Sequence, residues 1–198
     1  IALISDAGTP VISDPGEFIV KEAIEREIEV IPIPGACAII TALMAAGVNT
    51  RNFTFYGFLS LNKKIRTKEL EQIKDNNNTV ILYEAPHKIK NTMQDLENYV
   101  DDRKIVIARE LTKIHEEFIR GTIDEIKDKL QNPKGEYVII IDKNENINEN
   151  EENKLRELSI EEHYKYYEKM GLEKKEIIKK IAKDRQVAKN EIYKQFIN

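Results

Sequence analysis

The stretch Ile1-Ala2-Leu3-Ile4-Ser5-Asp6-Ala7-Gly8-Thr9-Pro10-Val11-Ile12-Ser13-Asp14-Pro15-Gly16 decides the reading of the fold. Four apolar residues give way at once to a run rich in Gly, Pro and Asp, the pattern of a strand delivering the chain into a loop. Glu17–Glu27 follows, with Phe18, Ile19, Ala23 and Ile24 at helical spacing. Glu29–Ile33 is a second β-branched run, stopped by Pro34-Gly35, and Ala36–Ala46 is small and apolar without alternation, which predicts a buried helix. Strand, helix, strand, helix with short turns predicts a parallel α/β layer. Ile1 stands inside the first strand with no lead-in, so an N-terminal portion is expected upstream of it.

Downstream, the same alternation repeats. Strands are expected at Phe53–Phe58, Thr79–Glu84, Lys104–Arg109 and Glu136–Asp142. Helices are expected at Lys64–Asp75, from Pro86 to about Tyr99, and at Thr122–Leu130, the last ended by Asn132-Pro133. Asn144–Asn153 (NENINENEEN) has four acids, no base and one apolar residue, the composition of a solvated linker. Lys154–Asn198 is helical by pattern and carries 12 Lys/Arg against 8 Asp/Glu. Ile177, Ile178, Ile181 and Ala182 form one apolar stripe, and Ile192, Tyr193, Phe196 and Ile197 another, as in a small bundle or helix-turn-helix. The expected organisation is an α/β domain remnant at 1–51, a second α/β domain at 52–143, the linker at 144–153 and a basic helical module at 154–198.

Composition bounds the function. With 198 residues, 41% of them hydrophobic and a net charge of −4, the chain can build a core, and contact with nucleic acid must come from a local basic face. One cysteine, Cys37, excludes an internal disulfide and a multi-cysteine metal site. No apolar run reaches the ~20 residues that span a bilayer, and the first residues form no secretory signal.

Four segments can carry chemistry. In Ser5–Thr9, at a strand's carboxyl end where α/β sheets bind ligands, Gly8 admits close backbone approach and Asp6 can accept from an amine or a ribose hydroxyl. A plain strand-to-helix turn is the alternative, with Asp14 capping the following helix. Pro34–Ala38 opens a helix of small residues whose free amides suit a carboxylate and whose flat floor suits adenine; the alternative is close helix–sheet packing, with Cys37 a small buried hydrophobe. Tyr83-Glu84-Ala85-Pro86-His87-Lys88 gathers Tyr, Glu and His at a strand end, the alternative being a core Tyr83 and a capping Glu84. Arg109–Glu117, with Arg120 beyond, is a dense polar stretch that needs partners or a ligand; a surface ion-pair network is its alternative. His87 and His115 lie near carboxylates but match no zinc spacing, so no metal is expected.

Taken in order and spacing, SDAGTPVISDPG, PIPGACA, YEAPHK and ARELTKIHEE resemble the ribosomal RNA small subunit methyltransferase I family, within the tetrapyrrole methylase superfamily. The resemblance covers Ile1 to about Asp142, and GLEKKEIIKKIAKDRQVAKNEIYKQF is similar to that family's C-terminal helical module. The family's further N-terminal motifs, TPIGNL-like and EDTR-like, do not occur in the sequence. The resemblance implies two α/β domains with S-adenosylmethionine in the cleft between them, 2′-O-methylation of a cytidine in the decoding region of 16S rRNA, and a cytoplasmic homodimer. By motif, Ser5, Asp6, Ala7, Gly8, Thr9, Cys37, Ala38, Tyr83 and Glu84 would contact the cofactor, with Gly135 a further candidate. Glu110, Lys113 and Glu116 are candidates for activating the ribose hydroxyl. His87, Lys88, Arg109 and Arg120 are candidate RNA contacts, because phosphates are met by Lys and Arg. In the tail, Lys174, Lys175, Lys179, Lys180, Lys183 and Arg185 are candidates for the same role, the alternative being a solvated helix face. Two rival readings share parts of this pattern: a tetrapyrrole or precorrin-type methyltransferase, and a non-enzymatic nucleic-acid-binding protein acting through the tail.

Overall fold

The computed structural model describes residues 1–130, 133–144, 155 and 158–195. It divides into two compact units, Ile1–Asn144 and Glu145–Asn198. The first is built on five strands: β1 (Phe53–Phe58), β2 (Thr79–Glu84), β3 (Ile105–Arg109), β4 (Glu117–Gly121) and β5 (Tyr137–Ile141). They lie in the order β1-β2-β5-β3-β4.

The sheet is mixed rather than parallel. Only β1 and β2 run parallel; β5 is antiparallel to both β2 and β3, and β4 is antiparallel to β3. Loop length accounts for β4, since a parallel crossover takes a dozen or more residues and only residues 110–116 join β3 to β4. The chain therefore turns straight back. β4 itself was hidden in the polar stretch after Arg109, because an edge strand needs few apolar residues: Ile119 is buried and Phe118 packs on the opposite face.

Alternation along the strands sorts the core into two layers. Val80, Leu82, Ile105, Ile107, Tyr137, Ile139 and Ile141 face the helices α3 (Lys63–Lys74), α4 (Ile89–Leu96) and α5 (Ile123–Lys129). Ile81, Val106, Ala108, Val138 and Ile140 face α2 (Ala38–Ala46), whose Ile39, Ala42, Leu43 and Ala46 are buried against them. The Asn62 side chain starts α3 by accepting from the amides of Lys64 (3.0 Å) and Ile65 (3.3 Å). Arg103, 6% exposed, ties the layers at the far edge, donating to the carbonyls of Asp142 (2.7 Å), Ile73 (3.0 Å) and Asn78 (3.3 Å).

The first 37 residues depart from expectation. Ile1–Ile4 and Glu29–Ile33 enter no strand, and Ile4 (85%) and Ile33 (78%) are exposed. A β-branched run becomes a strand only where a neighbouring edge completes its ladder, and among the described residues neither finds one. The helix α1 (Glu17–Glu25) buries none of its residues. Its N-cap is Gly16 without a side-chain hydrogen bond, so Asp14 does not cap it.

The second unit contains α6 (Ile160–Lys169), α7 (Lys174–Asp184) and α8 (Lys189–Lys194). Ile177, Ile178, Ile181, Ala182 and Ile192 pack with Tyr167. Tyr193, expected in the second stripe, is 47% exposed; Phe196 and Ile197, linker residues 145–153, and Asn132, expected to help end α5, lie outside the described residues. Ser159 and Glu162 form a capping box at α6.

His163 is fully buried, with Nε2 3.2 Å from Asp184 Oδ2 and Nδ1 accepting from Arg185 at 3.3 Å. Tyr167 donates to the same Asp184 oxygen at 2.6 Å, and Arg185 also donates to the Leu158 carbonyl. Burial pushes the imidazole pKa below its ordinary 6.5, against the pull of Asp184. The folded state thus prefers the neutral ring, while the unfolded chain takes up a proton near pH 6.5. Its contribution to stability is complete above that pH and is lost as the pH falls through the depressed folded value. Urea midpoints followed on α6 and α7 amide signals are therefore expected to drop between pH 7.5 and pH 5, and His163→Gln to flatten that dependence; parallel curves for both proteins would refute it.

Candidate active site

The sheet register assembles one edge. Glu84, Tyr137, Arg109 and Glu117 lie side by side across β2, β5, β3 and β4, with Tyr83, Val138, Ala108 and Phe118 in the next row. The ends of β2 and β3 therefore open where β5 and β4 begin, and the loops after Tyr83 and Arg109 share that edge.

The first two sequence segments meet each other. Thr9 Oγ1 donates to the Ala36 carbonyl at 2.9 Å. Gly8 has φ +72°, and a Cβ there would stand 3.0 Å from the same carbonyl oxygen, so both backbone and approach call for glycine. Ser5 Oγ donates to the Ala7 carbonyl at 3.1 Å, leaving Asp6 and Ala7 exposed. Cys37 is the extended N-cap of α2 and supplies no side-chain cap. Its thiol is half-buried.

Tyr83 joins this pair to the sheet. Its ring packs edge-on to Phe55 (5.0 Å between centroids) and against Phe58 (5.7 Å). Its hydroxyl pKa is pushed up to about 12, first by burial, then by the neighbouring Cys37, with Glu136 adding to it and the Ile39 backbone amide opposing. Tyr83 and Cys37 pack on the same apolar cluster as Ile39 of α2. Leu111 packs on the same cluster, which brings the fourth segment into the same neighbourhood.

In that fourth segment, Arg109 Nε lies 2.6 Å from Glu117 Oε2, and its pKa is raised, first by the Tyr137 hydroxyl and then by Glu117. Lys113 Nζ is 3.0 Å from Glu110 Oε1, an ion pair that raises the lysine pKa. Glu110 (φ +50°) and Thr112 (φ +64°) both sit in the left-handed region, uncommon for residues with side chains, so the loop is held in a strained shape. Glu116 braces it by accepting from the Thr112 amide at 2.7 Å. A Cβ at Gly135 (φ +74°) would collide with the Glu110 carboxylate, so this glycine makes room for it.

Other expected residues are placed apart from this cluster. Glu84 turns to the opposite face from Tyr83; it is 4% exposed, and its carboxylate accepts from Thr92 Oγ1 (2.5 Å) and the Ala85 amide (2.8 Å). Arg66 completes that network through Thr92 (2.9 Å) and Asp95 (2.8 Å). Arg120 donates to the carbonyls of Ala45 (2.5 Å) and Ala46 (3.3 Å), closing the C-terminal end of α2, and lies over the Phe118 ring. His87 is exposed, and Lys88 is the N-cap of α4. Lys175, Lys179 and Lys183 are exposed on α7. Among the described residues no three His, Cys, Asp or Glu side chains gather as a metal site, and no helix is long and apolar enough to cross a membrane. Tyr137 was not anticipated; the register of β5 against β3, which no local pattern encodes, brings it beside Arg109.

Against known proteins, residues 1–127 match the model of the tetrapyrrole (corrin/porphyrin) methylases. In fold, the methyltransferase CobJ superposes with a TM-score of 0.50 at 18% identity, covering 64% of this chain and 58% of that one. The chain belongs to the tetrapyrrole methylase family. Curated relatives narrow this further. A Bacillus subtilis protein is 45% identical over 98% of the chain and 67% of its own length; one from Halalkalibacterium halodurans is 46% identical over 98% and 68%. A Synechocystis protein is 49% identical over 71% of the chain and 52% of its own length. All three are named ribosomal RNA small subunit methyltransferase I, and the chain falls in that group.

Proposed function

We propose that the chain forms the donor site and the reaction edge of an S-adenosylmethionine-dependent methyltransferase that modifies the ribose 2′-oxygen of a cytidine in the decoding region of 16S rRNA. One observation carries this reading: segments far apart in sequence converge, with Thr9 bonded to Ala36, Cys37, Tyr83 and Leu111 packed on one apolar cluster, and the Glu110 carboxylate lying against Gly135 before β5. The relatives' name supplies the substrate class.

The residues present suit such a donor. Gly8 and Ala7 leave a bare backbone, Asp6 is an exposed acceptor for an amine or ribose hydroxyl, and Cys37 leaves the first-turn amides of α2 without a side-chain cap. Ser5, Thr9 and Ala38 complete this wall, and Tyr83 with Phe55 and Phe58 forms an apolar one. When bound, S-adenosylmethionine supplies an electrophilic methyl group on a sulfonium. The protein's part is alignment of the ribose hydroxyl and handling of its proton. We assign to Glu110, paired with Lys113, the receipt of that proton, and to the lysine charge the steadying of the developing oxyanion. Glu116 holds the loop through Thr112. Arg109 contacts the RNA at the sheet edge, His87 and Lys88 contact it from the loop after β2, and Lys175, Lys179 and Lys183 meet phosphates from α7. Residues 1–51 and 52–143 act as parts of two α/β domains, and the enzyme works as a cytoplasmic homodimer.

The test is transfer of a radiolabelled methyl group to small ribosomal subunits, with the product mapped to ribose. Asp6→Ala is expected to weaken donor binding about tenfold by calorimetry, the order of one hydrogen bond to a charged group. Transfer to a porphyrinoid instead of rRNA would replace this reading with that of a small-molecule enzyme, and unchanged affinity in Asp6→Ala would remove the assigned donor wall.

A further inference from the structure

Positive charge in the tail is concentrated at its end: residues 174–194 hold eight Lys or Arg against three Asp or Glu. The inner side of that segment is committed. Arg185, at the end of α7, is turned inward to His163 and the Leu158 carbonyl, and Ile192 of α8 is 1% exposed in the core. Lys180 lies 4.9 Å over the Tyr167 ring. With Ile192 inward, helical geometry places Asn190 and Lys194 on the outer side of α8, flanked by Tyr193 and Lys189, and all four are exposed. Tyr193, 47% exposed beside Lys189, Asn190 and Lys194, is not among the described residues that pack in the core of the unit.

We infer that the outer face of α8, formed by Lys189, Asn190, Tyr193 and Lys194, is a binding surface for single-stranded RNA, in which Tyr193 stacks on an unpaired base and the two lysines meet the flanking phosphates. Stacking platforms of this composition suit unpaired bases, because every base offers a flat face while a duplex hides it. Asn190 adds a donor and an acceptor beside the ring, capable of pairing with a base edge. The Asp184–His163–Arg185 cluster fixes the turn from which α8 departs, so the platform is presented on a rigid base. This deepens the reading of the chain as an RNA methyltransferase and rests on it, because it assigns a substrate-holding surface to the second unit.

The test is fluorescence anisotropy of a labelled oligoribonucleotide, single-stranded or annealed to its complement, titrated with the full chain. Tyr193→Ala is expected to weaken single-strand binding about tenfold, the size of one stacked base. Tyr193→Phe keeps the ring and should stay near the parent value. Neither change should alter the salt slope, whereas Lys194→Ala should reduce its magnitude by about 0.7, one phosphate contact to a single strand. Binding to the duplex should be indifferent to Tyr193. Unchanged single-strand affinity in Tyr193→Ala, or an equal loss on the duplex, would overturn the assignment. Donor affinity belongs to the first unit and is measured separately. A parent protein that binds no S-adenosylmethionine yet loses RNA in Tyr193→Ala would sink the methyltransferase reading and leave this surface standing.

Discussion

Arg103→Met should unfold the first unit about 3 kcal/mol more easily than the parent in urea. The guanidinium is buried and donates to three main-chain carbonyls from three different places: Asp142 after β5, Ile73 in α3, and Asn78 before β2. Burial pushes its pKa down to about 10, against the pull of Asp142 and Asp101. Hiding the charge is thus a cost that the carbonyls offset. Methionine fills the space and removes that cost, but leaves three acceptors without donors, at about 1–3 kcal/mol for each buried group left unsatisfied. The loss wins. Arg103→Lys, with one ammonium to serve three directions, should recover only part of it. An unchanged midpoint in Arg103→Met would mean that water replaces all three bonds.

The second large effect lies at the reaction edge. Lys113→Ala is expected to slow methyl transfer to small ribosomal subunits about a hundredfold while donor affinity holds, the ordinary size of one lost acid–base or oxyanion contribution. Lys113 is exposed and pairs with Glu110. The loop geometry survives its removal, because Glu116 and Thr112 hold the turn independently. Lys113→Arg should restore part of the rate, since it keeps the charge. Normal turnover in Lys113→Ala would take the lysine out of the reaction.

The sheet core was largely legible, because strands buried on both faces read as unbroken apolar runs: Thr79–Glu84 and Tyr137–Ile141 are of this kind. The helix α2 showed itself by small apolar residues without alternation. What failed was pairing. Ile1–Ile4 has the composition of a strand, but composition says nothing of whether an edge stands beside it. The direction of β5 was equally invisible, since strand register is set by distant partners. In the candidate site, two of the motifs fall on loops that the sheet brings to one edge, but they carry no side-chain directions. Period-two alternation does show that Tyr83 and Glu84 must point to opposite faces, and Glu84 accordingly joins the Thr92–Arg66 network instead of Tyr83. The contact of Thr9 with Ala36 spans 27 residues, and only the folded chain displays it.

The position of β5 bears on how the protein is made. Between β2 and β3 there is a gap that only Tyr137–Ile141 fills, although both neighbours leave the ribosome earlier. Until that stretch emerges, β1 with β2 and β3 with β4 are two separate ribbons, each with a bare inner border. Such borders invite pairing with other nascent chains. Growth conditions that slow translation just before residue 137 should therefore raise the share of newly made protein found in aggregates.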